Sequence, residues 1–290
     1  MENRTLRMTI PQWQGGINPD YVFGAELLEK IAPQSANLQE SVTIAVDRDF
    51  SRPLQEIDGV LGGDQLIKQI SEEWKVLNEK NPTKIIVFGG DCAVTQVPFD
   101  YLSGIYGDKL GMIWLDAHPD ISDTKTSSHL HEMVCANLLG QNMSSPVTKV
   151  KNPISPKRMI YAGLIEEDLR PMDMACKTLG IRILSPKKLA EDNFELISWI
   201  KAEKIEYVCV HWDLDVLTPE DFRSIYPAEP HTRISDFPAA VGRMSLENVA
   251  KTINAASEAA ELVGISITEH LPWDSLRLRK TMQNISIFNA

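Results

Sequence analysis

Two stretches decide the fold: MIWLDAHPD at residues 112–120 and YVCVHWDLD at residues 207–215. Each is a short apolar run that ends in two aspartates, and the first also carries His118. Continuous apolar runs of this length are typical of parallel strands that are buried on both faces of a sheet. In open α/β sheets, ligands bind beyond the carboxyl ends of such strands. We therefore predict that both runs deliver polar side chains to one edge of a parallel sheet.

Further apolar runs of the same kind alternate with stretches of helical periodicity. The predicted strands are Val42–Val46, Lys84–Phe88, Gly111–Leu115, Arg158–Ala162, Arg182–Leu184, Glu206–His211 and Leu262–Ile267. The predicted helices include Asp64–Asn78, Pro186–Ala202 and Ser245–Ser257, the last with Ser245 as its N-cap. This alternation predicts βαβ units in an α/β fold. The sequence contains no repeat and no clear linker, so we expect a single domain over residues 1–290, with a surface loop at 142–157.

Composition narrows the class of protein. The chain has 290 residues, of which 43% are apolar and 24% charged, as in ordinary globular proteins. Its formal charge of −11 disfavours binding to nucleic acid or to an anionic membrane. Its four cysteines are widely spaced and form no C-x-x-C pair, which argues against a disulfide framework. No signal peptide or long apolar span is visible, so we expect a cytoplasmic protein with no membrane segment.

The residues that follow the predicted strands indicate a metal site. Asp116, His118 and Asp120 alternate along an extended segment and so share one face, as do Asp213 and Asp215. Clustered carboxylates repel one another strongly unless cations neutralise them. A site rich in carboxylates and poor in imidazole suits a hard or borderline divalent ion such as Mn²⁺.

The order of the motifs resembles the ureohydrolase family of arginases, agmatinases and formiminoglutamases. The matching blocks are GGDC at 89–92, DAHPD at 116–120, SSHLHEM at 127–133, DLD at 213–215 and ITEH at 267–270. The resemblance implies a three-layer αβα fold with a central, mostly parallel sheet and two Mn²⁺ ions per chain. It implies hydrolysis of a guanidino or formimino C–N bond in a small guanidino or amidino substrate. It also implies a homo-oligomer, either a trimer or a hexamer.

The resemblance assigns six metal ligands, matched motif by motif. They are Asp116 and Asp213, which bridge the two ions, Asp120 and Cys92 at one ion, and His118 and Asp215 at the other.

Five further residues match the catalytic and substrate-binding positions of the family. Glu269 corresponds to the residue that pairs with the guanidinium, and His131 to the histidine that shuttles protons to the leaving amine. Ser127, His129 and Asp168 correspond to residues that face the far end of the substrate.

Two departures from the family pattern bear on function. Cys92 stands where arginases and agmatinases usually have His, and a thiolate suits Zn²⁺ or Fe²⁺ better than Mn²⁺. Cys92 either ligates as a thiolate, leaves one position empty or changes the metal; alternatively it is an inert buried cysteine. In the substrate loop His129 and Glu132 replace the Asn and Gly of arginases, which argues against L-arginine as the substrate.

Two other classes of function stay open at this stage. Loss of the usual His suggests a non-catalytic member that binds a cationic metabolite. The same fold also occurs in zinc deacetylases, and Asp116, His118 and Asp213 could form a mononuclear amide hydrolase site. Metal stoichiometry and the identity of any released product distinguish the three.

Overall fold

The computed structural model describes residues 4–35 and 39–289. The strands are β1 Thr5–Ile10, β2 Glu40–Thr43, β3 Glu56–Ile57, β4 Val60–Leu61, β5 Lys84–Gly89, β6 Leu110–Leu115, β7 Met159–Ala162, β8 Arg182–Leu184, β9 Tyr207–Asp213 and β10 Glu261–Thr268. The helices are α1 Asp20–Ile31, α2 Gly63–Lys80, α3 Gln96–Tyr106, α4 Val134–Leu138, α5 Ala175–Thr178, α6 Pro186–Glu191, α7 Phe194–Ala202, α8 Leu246–Ala259 and α9 Trp273–Gln283. Eight strands form one parallel sheet in the order β2-β1-β5-β10-β9-β6-β7-β8, while β3 and β4 form a small hairpin.

Helices cover both faces of the sheet. Alternate side chains of a strand point to opposite faces, so Met112 and Trp114 of β6 enter one apolar core while Ile113 and Leu115 enter another. Helices α2, α3 and α4 close the first core, and α1, α6, α7 and α8 contribute to the second. The predicted three-layer αβα fold is confirmed.

Most predicted elements are present, with three corrections. The strand β1 was not predicted because Arg7 and Thr9 interrupt its apolar run; Arg7 is nevertheless buried, with its guanidinium over the Phe88 ring. The strand predicted at Val42–Val46 is Glu40–Thr43, the segment that pairs with β1. The helix predicted over Pro186–Ala202 is two helices, α6 and α7.

Local capping explains two of the helix boundaries. The side chain of Asp192, which directly follows α6, accepts the backbone N–H of Phe194, the first residue of α7. The predicted N-cap Ser245 accepts the backbone N–H of Asn248 at 3.2 Å, and α8 follows it directly. The predicted loop at 142–157 has no strand or α-helix, but it tucks Val147 and Val150 into the core. No helix in the described part of the chain is long and apolar enough to cross a membrane.

Candidate active site

The site lies where four neighbouring strands end. β5, β10, β9 and β6 are consecutive in the sheet, so their carboxyl ends lie side by side. Cys92 follows β5, Glu269 follows β10, Asp213 ends β9 and Asp116 follows β6; all four are buried. The topology therefore gathers motifs that are up to 177 residues apart in sequence.

Asp116 is held by two hydrogen bonds from its own strand and loop. Its Oδ1 accepts the backbone N–H of His118 at 2.6 Å, and its Oδ2 accepts the indole N–H of Trp114 at 3.0 Å. Trp114 in turn stacks on His211, with ring centroids 3.7 Å apart. Each carboxylate oxygen keeps a further lone pair, so Asp116 is oriented while still able to ligate through both oxygens.

The partly exposed His118 forms an ion pair with the buried Asp215. The His118 Nδ1 atom lies 3.1 Å from Asp215 Oδ2 and 3.5 Å from Asp116 Oδ1. Burial opposes a charge on the imidazole, but Asp215 and Asp116 together outweigh it and hold the pKa of His118 well above its usual range. Burial likewise opposes ionisation of Asp215, yet His118 keeps the pKa of that carboxyl below its ordinary value.

Cys92 contacts Asp213 and Glu269. Its Sγ lies 2.7 Å from Asp213 Oδ2 and 3.6 Å from Glu269 Oε1. Burial, followed by the charges of Asp213 and Glu269, raises the pKa of this thiol well above that of a free cysteine. Cys92 is therefore a thiol donor to Asp213 in the metal-free protein, and becoming a thiolate ligand requires a bound cation to displace its proton.

Two of the site residues, Asp120 and Glu269, have strained backbone conformations. Asp120 has φ of 43° and Glu269 has φ of 62°, in the left-handed region that side-chain-bearing residues seldom adopt. Both residues line the same cavity. Backbone strain of this kind clusters at functional sites, where the surrounding structure fixes a side chain in one direction.

Buried polar atoms without partners test whether the cluster fits a metal. Among the described residues, His118 Nε2, Asp120 Oδ2, Asp215 Oδ1 and His211 Nε2 accept or donate no hydrogen bond. Such atoms are costly to bury unless a ligand satisfies them. Ligating atoms within 4.8 Å of one another belong to three groups that are buried except at His118, namely Asp116–His118–Asp215, Cys92–Asp116–Asp120–His211 and Cys92–Asp213–Glu269. The donor set of carboxylate, imidazole and thiol fits divalent metal ions.

Ionising the carboxyl groups of the cluster is unfavourable, because they are buried and close to one another. Burial, together with the charge of Asp215, raises the pKa of Asp116 to about 7. Burial and neighbouring carboxylates also raise the pKa values of Asp120 and Asp213 well above the ordinary range. Without cations, the cluster therefore retains protons near neutral pH, and metal ions would replace them.

Glu269 links the cluster to two residues on other elements. Its Oε2 accepts the hydroxyl of Tyr21, on α1, at 2.7 Å, and its Oε1 lies 3.0 Å from His131 Nδ1. Burial disfavours the imidazolium of His131, but the hydrogen bond and charge of Glu269 prevail and raise its pKa to about 9. In the metal-free protein His131 is thus a cation at neutral pH, held against a fixed carboxylate.

Most of these residues line one cavity of about 610 Å³. Of the residues predicted from sequence, those that line it are Cys92, His118, Asp120, His129, His131, Asp213, Asp215 and Glu269. Asp116 lies behind His118 as a buried neighbour. Ser127 does not line the cavity but donates to Glu132, which does. The structure does not bring Asp168 into the cavity; it pairs with Arg243 beside a neighbouring depression.

Sequence reasoning missed several residues of the site. Tyr21 and Trp273 line the cavity from α1 and α9, and Arg170 lines it from a loop. None of the three lies directly after a β-strand, the position at which the sequence pattern indicates site residues. Gly16 lies between Asp91 and His131, and a Cβ there would come within 3.3 Å of both. The pair Gly15-Gly16 was a visible signal for a close backbone approach.

The sequence profile of the arginase family matches residues 19–229, which is most of the chain and includes all the site motifs except the last. The chain belongs to the arginase family. Human arginase-1 is 28% identical over 225 residues, covering 72% of this chain and 68% of that protein. Arabidopsis thaliana arginase 2 is 22% identical over 221 residues, and the matched part is 76% of this chain but only 57% of that relative's length.

Solved structures of arginases share the fold. Entamoeba histolytica arginase, crystallised with L-ornithine, superposes with a TM-score of 0.76 at 18% identity, covering 93% of this chain and 91% of that one. Proclavaminate amidino hydrolase from Streptomyces clavuligerus gives a TM-score of 0.62 at 16% identity, with coverage of 93% and 84%. At these identities the likeness establishes the shared architecture of the arginase family and not a shared substrate.

Proposed function

We propose that this member of the arginase family is a metal-dependent hydrolase of a linear C–N bond in a guanidino or formimino compound. One observation carries the proposal: a buried cluster of ligating atoms lacking partners shares a cavity with the Glu269–His131 pair. The first feature suits divalent metal, and the second suits a cationic amidine and its leaving amine.

The metal ligands we propose are Cys92, Asp116, His118, Asp120, Asp213 and Asp215. Asp116 and Cys92 each belong to two of the ligating groups, so each would be available to either of two neighbouring ions. When bound, two divalent ions lower the pKa of water and supply a nucleophile at neutral pH. The hydrogen bonds from Trp114 and from the His118 backbone orient Asp116 for this role.

Glu269 and His131 have different roles toward the substrate: Glu269 binds its cationic group, and His131 donates a proton. Glu269 has its Oε2 fixed by Tyr21 and offers acceptors to the N–H groups of a guanidinium or amidinium, in the geometry that carboxylates share with such cations. His131 is protonated beside it and can pass that proton to the leaving amine. The mechanism needs the proton on His131 at the moment when the C–N bond breaks.

The position of Cys92 favours one alternative. The group Asp116–His118–Asp215 is complete without sulfur, whereas the neighbouring groups both include Cys92. A mononuclear hydrolase is therefore the second candidate function, and Asp116, His118 and Asp215 would hold its metal ion. Zn²⁺ or Fe²⁺ becomes the expected metal if the Cys92 side is occupied, because thiolate is a soft ligand.

The test combines metal content with product analysis. Protein purified without chelator and reconstituted separately with Mn²⁺, Zn²⁺ or Fe²⁺ is assayed for urea, formamide and ammonia release over a panel of guanidino and formimino compounds. Asp116→Asn is expected to lose metal and at least 100-fold in turnover, since removing even one stabilising hydrogen-bond donor at an active site costs about 10²–10³-fold. Asp108→Asn, at a fully exposed position, serves as the matched control and should leave turnover unchanged.

Each outcome separates the candidates. Two metal equivalents with product release support the dinuclear hydrolase, and one equivalent with product release supports the mononuclear form. Metal binding with no turnover of any compound in the panel overturns the proposal in favour of a non-catalytic member. The expected homo-oligomer and cytoplasmic location remain predictions.

A further inference from the structure

The mouth of the catalytic cavity has an aromatic wall, made of Tyr226, Phe237 and Trp273. The Tyr226 ring lies 5.6 Å from Phe237, nearly perpendicular to it, and 6.3 Å from Trp273. All three side chains line the cavity. Tyr226 is 45% exposed whereas the metal-ligand cluster is buried, so the wall lies at the solvent end. The indole N–H of Trp273 donates to the Ile225 carbonyl at 2.7 Å, which fixes that ring in place.

Carboxylates outnumber free cations along the same rim. Arg170 is the one Lys or Arg among the residues that line the cavity, and its guanidinium is bound by both Asp173 and Glu132. Asp20 is paired with Lys280. His129 is half-buried, and burial lowers its pKa, so it adds no charge near neutral pH.

Glu229, unlike Glu132 and Asp20, has no cationic partner among the described residues. It lines the cavity from the same loop as Tyr226 and Phe237. No Lys, Arg or His in the described part of the chain forms an ion pair with its carboxylate. A ligand group that reaches this point meets π-faces and an uncompensated negative charge together.

We propose that the aromatic wall and Glu229 form a subsite for an organic cation, such as an alkylated ammonium or a second guanidinium. Such cations are large and weakly hydrated, and they bind favourably against aromatic faces, more so when a carboxylate is near. A carboxylate-bearing group at the same place would face Glu229 and Glu132, and no unpaired guanidinium lies among the described residues that line the cavity. The aromatic wall and Glu229 together therefore favour a cationic ligand group over an anionic one at the cavity entrance.

The consequence for catalysis rests on the proposed function. If the metal end of the cavity holds the amidine, the subsite holds the distal end of the same molecule. The preferred substrates are then guanidino or formimino compounds with a second cationic end, rather than those that end in a carboxylate.

Binding to the metal-reconstituted protein tests the subsite without turnover. The probes are choline and its uncharged isostere 3,3-dimethylbutan-1-ol, compared by ligand-observed NMR titration. Choline is expected to bind about two- to fivefold more tightly than the isostere, the range of exposed cation–π contacts. Tyr226→Leu and Glu229→Gln should each weaken choline binding by a similar factor while metal content and melting temperature stay constant. Glu220→Gln, on the same loop but outside the catalytic cavity, is the matched control.

Two results would overturn the subsite. The first is equal affinity for choline and the isostere, and the second is unchanged choline affinity in both Tyr226→Leu and Glu229→Gln. Failure of the proposed function is a separate result, because a protein that turns over no amidine can still bind choline. In an active protein, the same variants should raise KM for a cation-tailed substrate, relative to a carboxylate-tailed one, with kcat nearly unchanged.

Discussion

Single residues of this site owe their chemistry to one or two neighbours. His131 is the clearest case, because burial alone would hold it neutral, whereas Glu269 makes it a cation. Tyr21 donates to the other oxygen of Glu269 and so keeps that carboxylate facing His131. The protonation of His131 therefore depends on a contact between side chains 138 residues apart in sequence.

Replacing the carboxylate should expose this dependence. We predict that Glu269→Gln lowers the pKa of His131 from about 9 towards the ordinary value of 6.5 in the metal-free protein. The raised pKa stabilises the fold in full below pH 6.5, and this stabilisation is lost as the pH rises through 9; it amounts to ~3 kcal/mol at most. Heteronuclear NMR of the histidine rings, assigned with His131→Gln, measures the shift. An unchanged His131 titration in Glu269→Gln would contradict the assignment.

The sequence predicted the proposed ligands more readily than the residues that support them. Asp116, His118 and Asp213 follow apolar runs, and a run followed by an acid is a local pattern. No local pattern identifies Tyr21, because its hydrogen bond to Glu269 forms only when α1 packs against the end of β10. Asp168 shows the converse, because an acidic residue near a motif was predicted to face the substrate, while the fold pairs it with Arg243.

Helix α1 can deliver Tyr21 because it lies unusually close to the end of β10. A Cβ added at Gly24 would lie 1.7 Å from the carbonyl oxygen of His270, which directly follows Glu269. Only glycine allows this approach of helix to backbone. The distance between α1 and the chain after β10 is thus set by one missing side chain, and the Tyr21–Glu269 hydrogen bond depends on it.

An added methyl group should therefore separate the two elements. We predict that Gly24→Ala lowers the free energy of unfolding by about 1–3 kcal/mol, as overpacking does, and lowers turnover by releasing Glu269 from Tyr21. Gly104→Ala in α3 is the control, because its Cβ would meet the end of the Asn152 side chain and not backbone. Chemical denaturation measures both variants. Equal destabilisation by the two would show that α1 does not depend on this close contact.

The elements predicted correctly are those with strong local signals. The apolar run of β6 and the capped, periodic stretch of α8 needed no tertiary information. The strand β1 was harder to predict, because it buries Arg7 by stacking it on Phe88 and bonding it to the Pro33 carbonyl. A charged residue satisfied in this way looks like a strand breaker until its partners are known.

The whole molecule is organised by the order of its strands. The four strands that end at the site are consecutive in the sheet although they are far apart in the chain. The motifs predicted a shared edge but not this adjacency, which follows from crossovers that no local pattern encodes. Adjacency brings carboxylates of different strands into contact, and the fold must then tolerate their repulsion.

That repulsion makes stability depend jointly on metal and pH. The raised pKa values of Asp116, about 7, and of Asp213 mean that ionising them costs folding energy, so the metal-free protein should lose stability as the pH rises from 4 to 7. Divalent ions displace these protons, and their stabilising effect should therefore be larger at pH 7.5 than at pH 5.5. At a hundredfold excess over the dissociation constant the gain is about 2.7 kcal/mol, measurable as a rise in melting temperature by calorimetry.

The variant Asp213→Asn tests both repulsion and ligation, since it removes one negative charge and one of the proposed metal ligands. It should be more stable than the wild type in chelator at pH 7.5, because a neutral amide removes the cost of a buried charge beside Asp215. It should also lose most of the metal-induced rise. Asp236→Asn, at an exposed position, should behave as the wild type in both conditions. A metal-induced rise of equal size at both pH values, or one that persists in Asp213→Asn, would show that the carboxylate cluster is not where the metal binds.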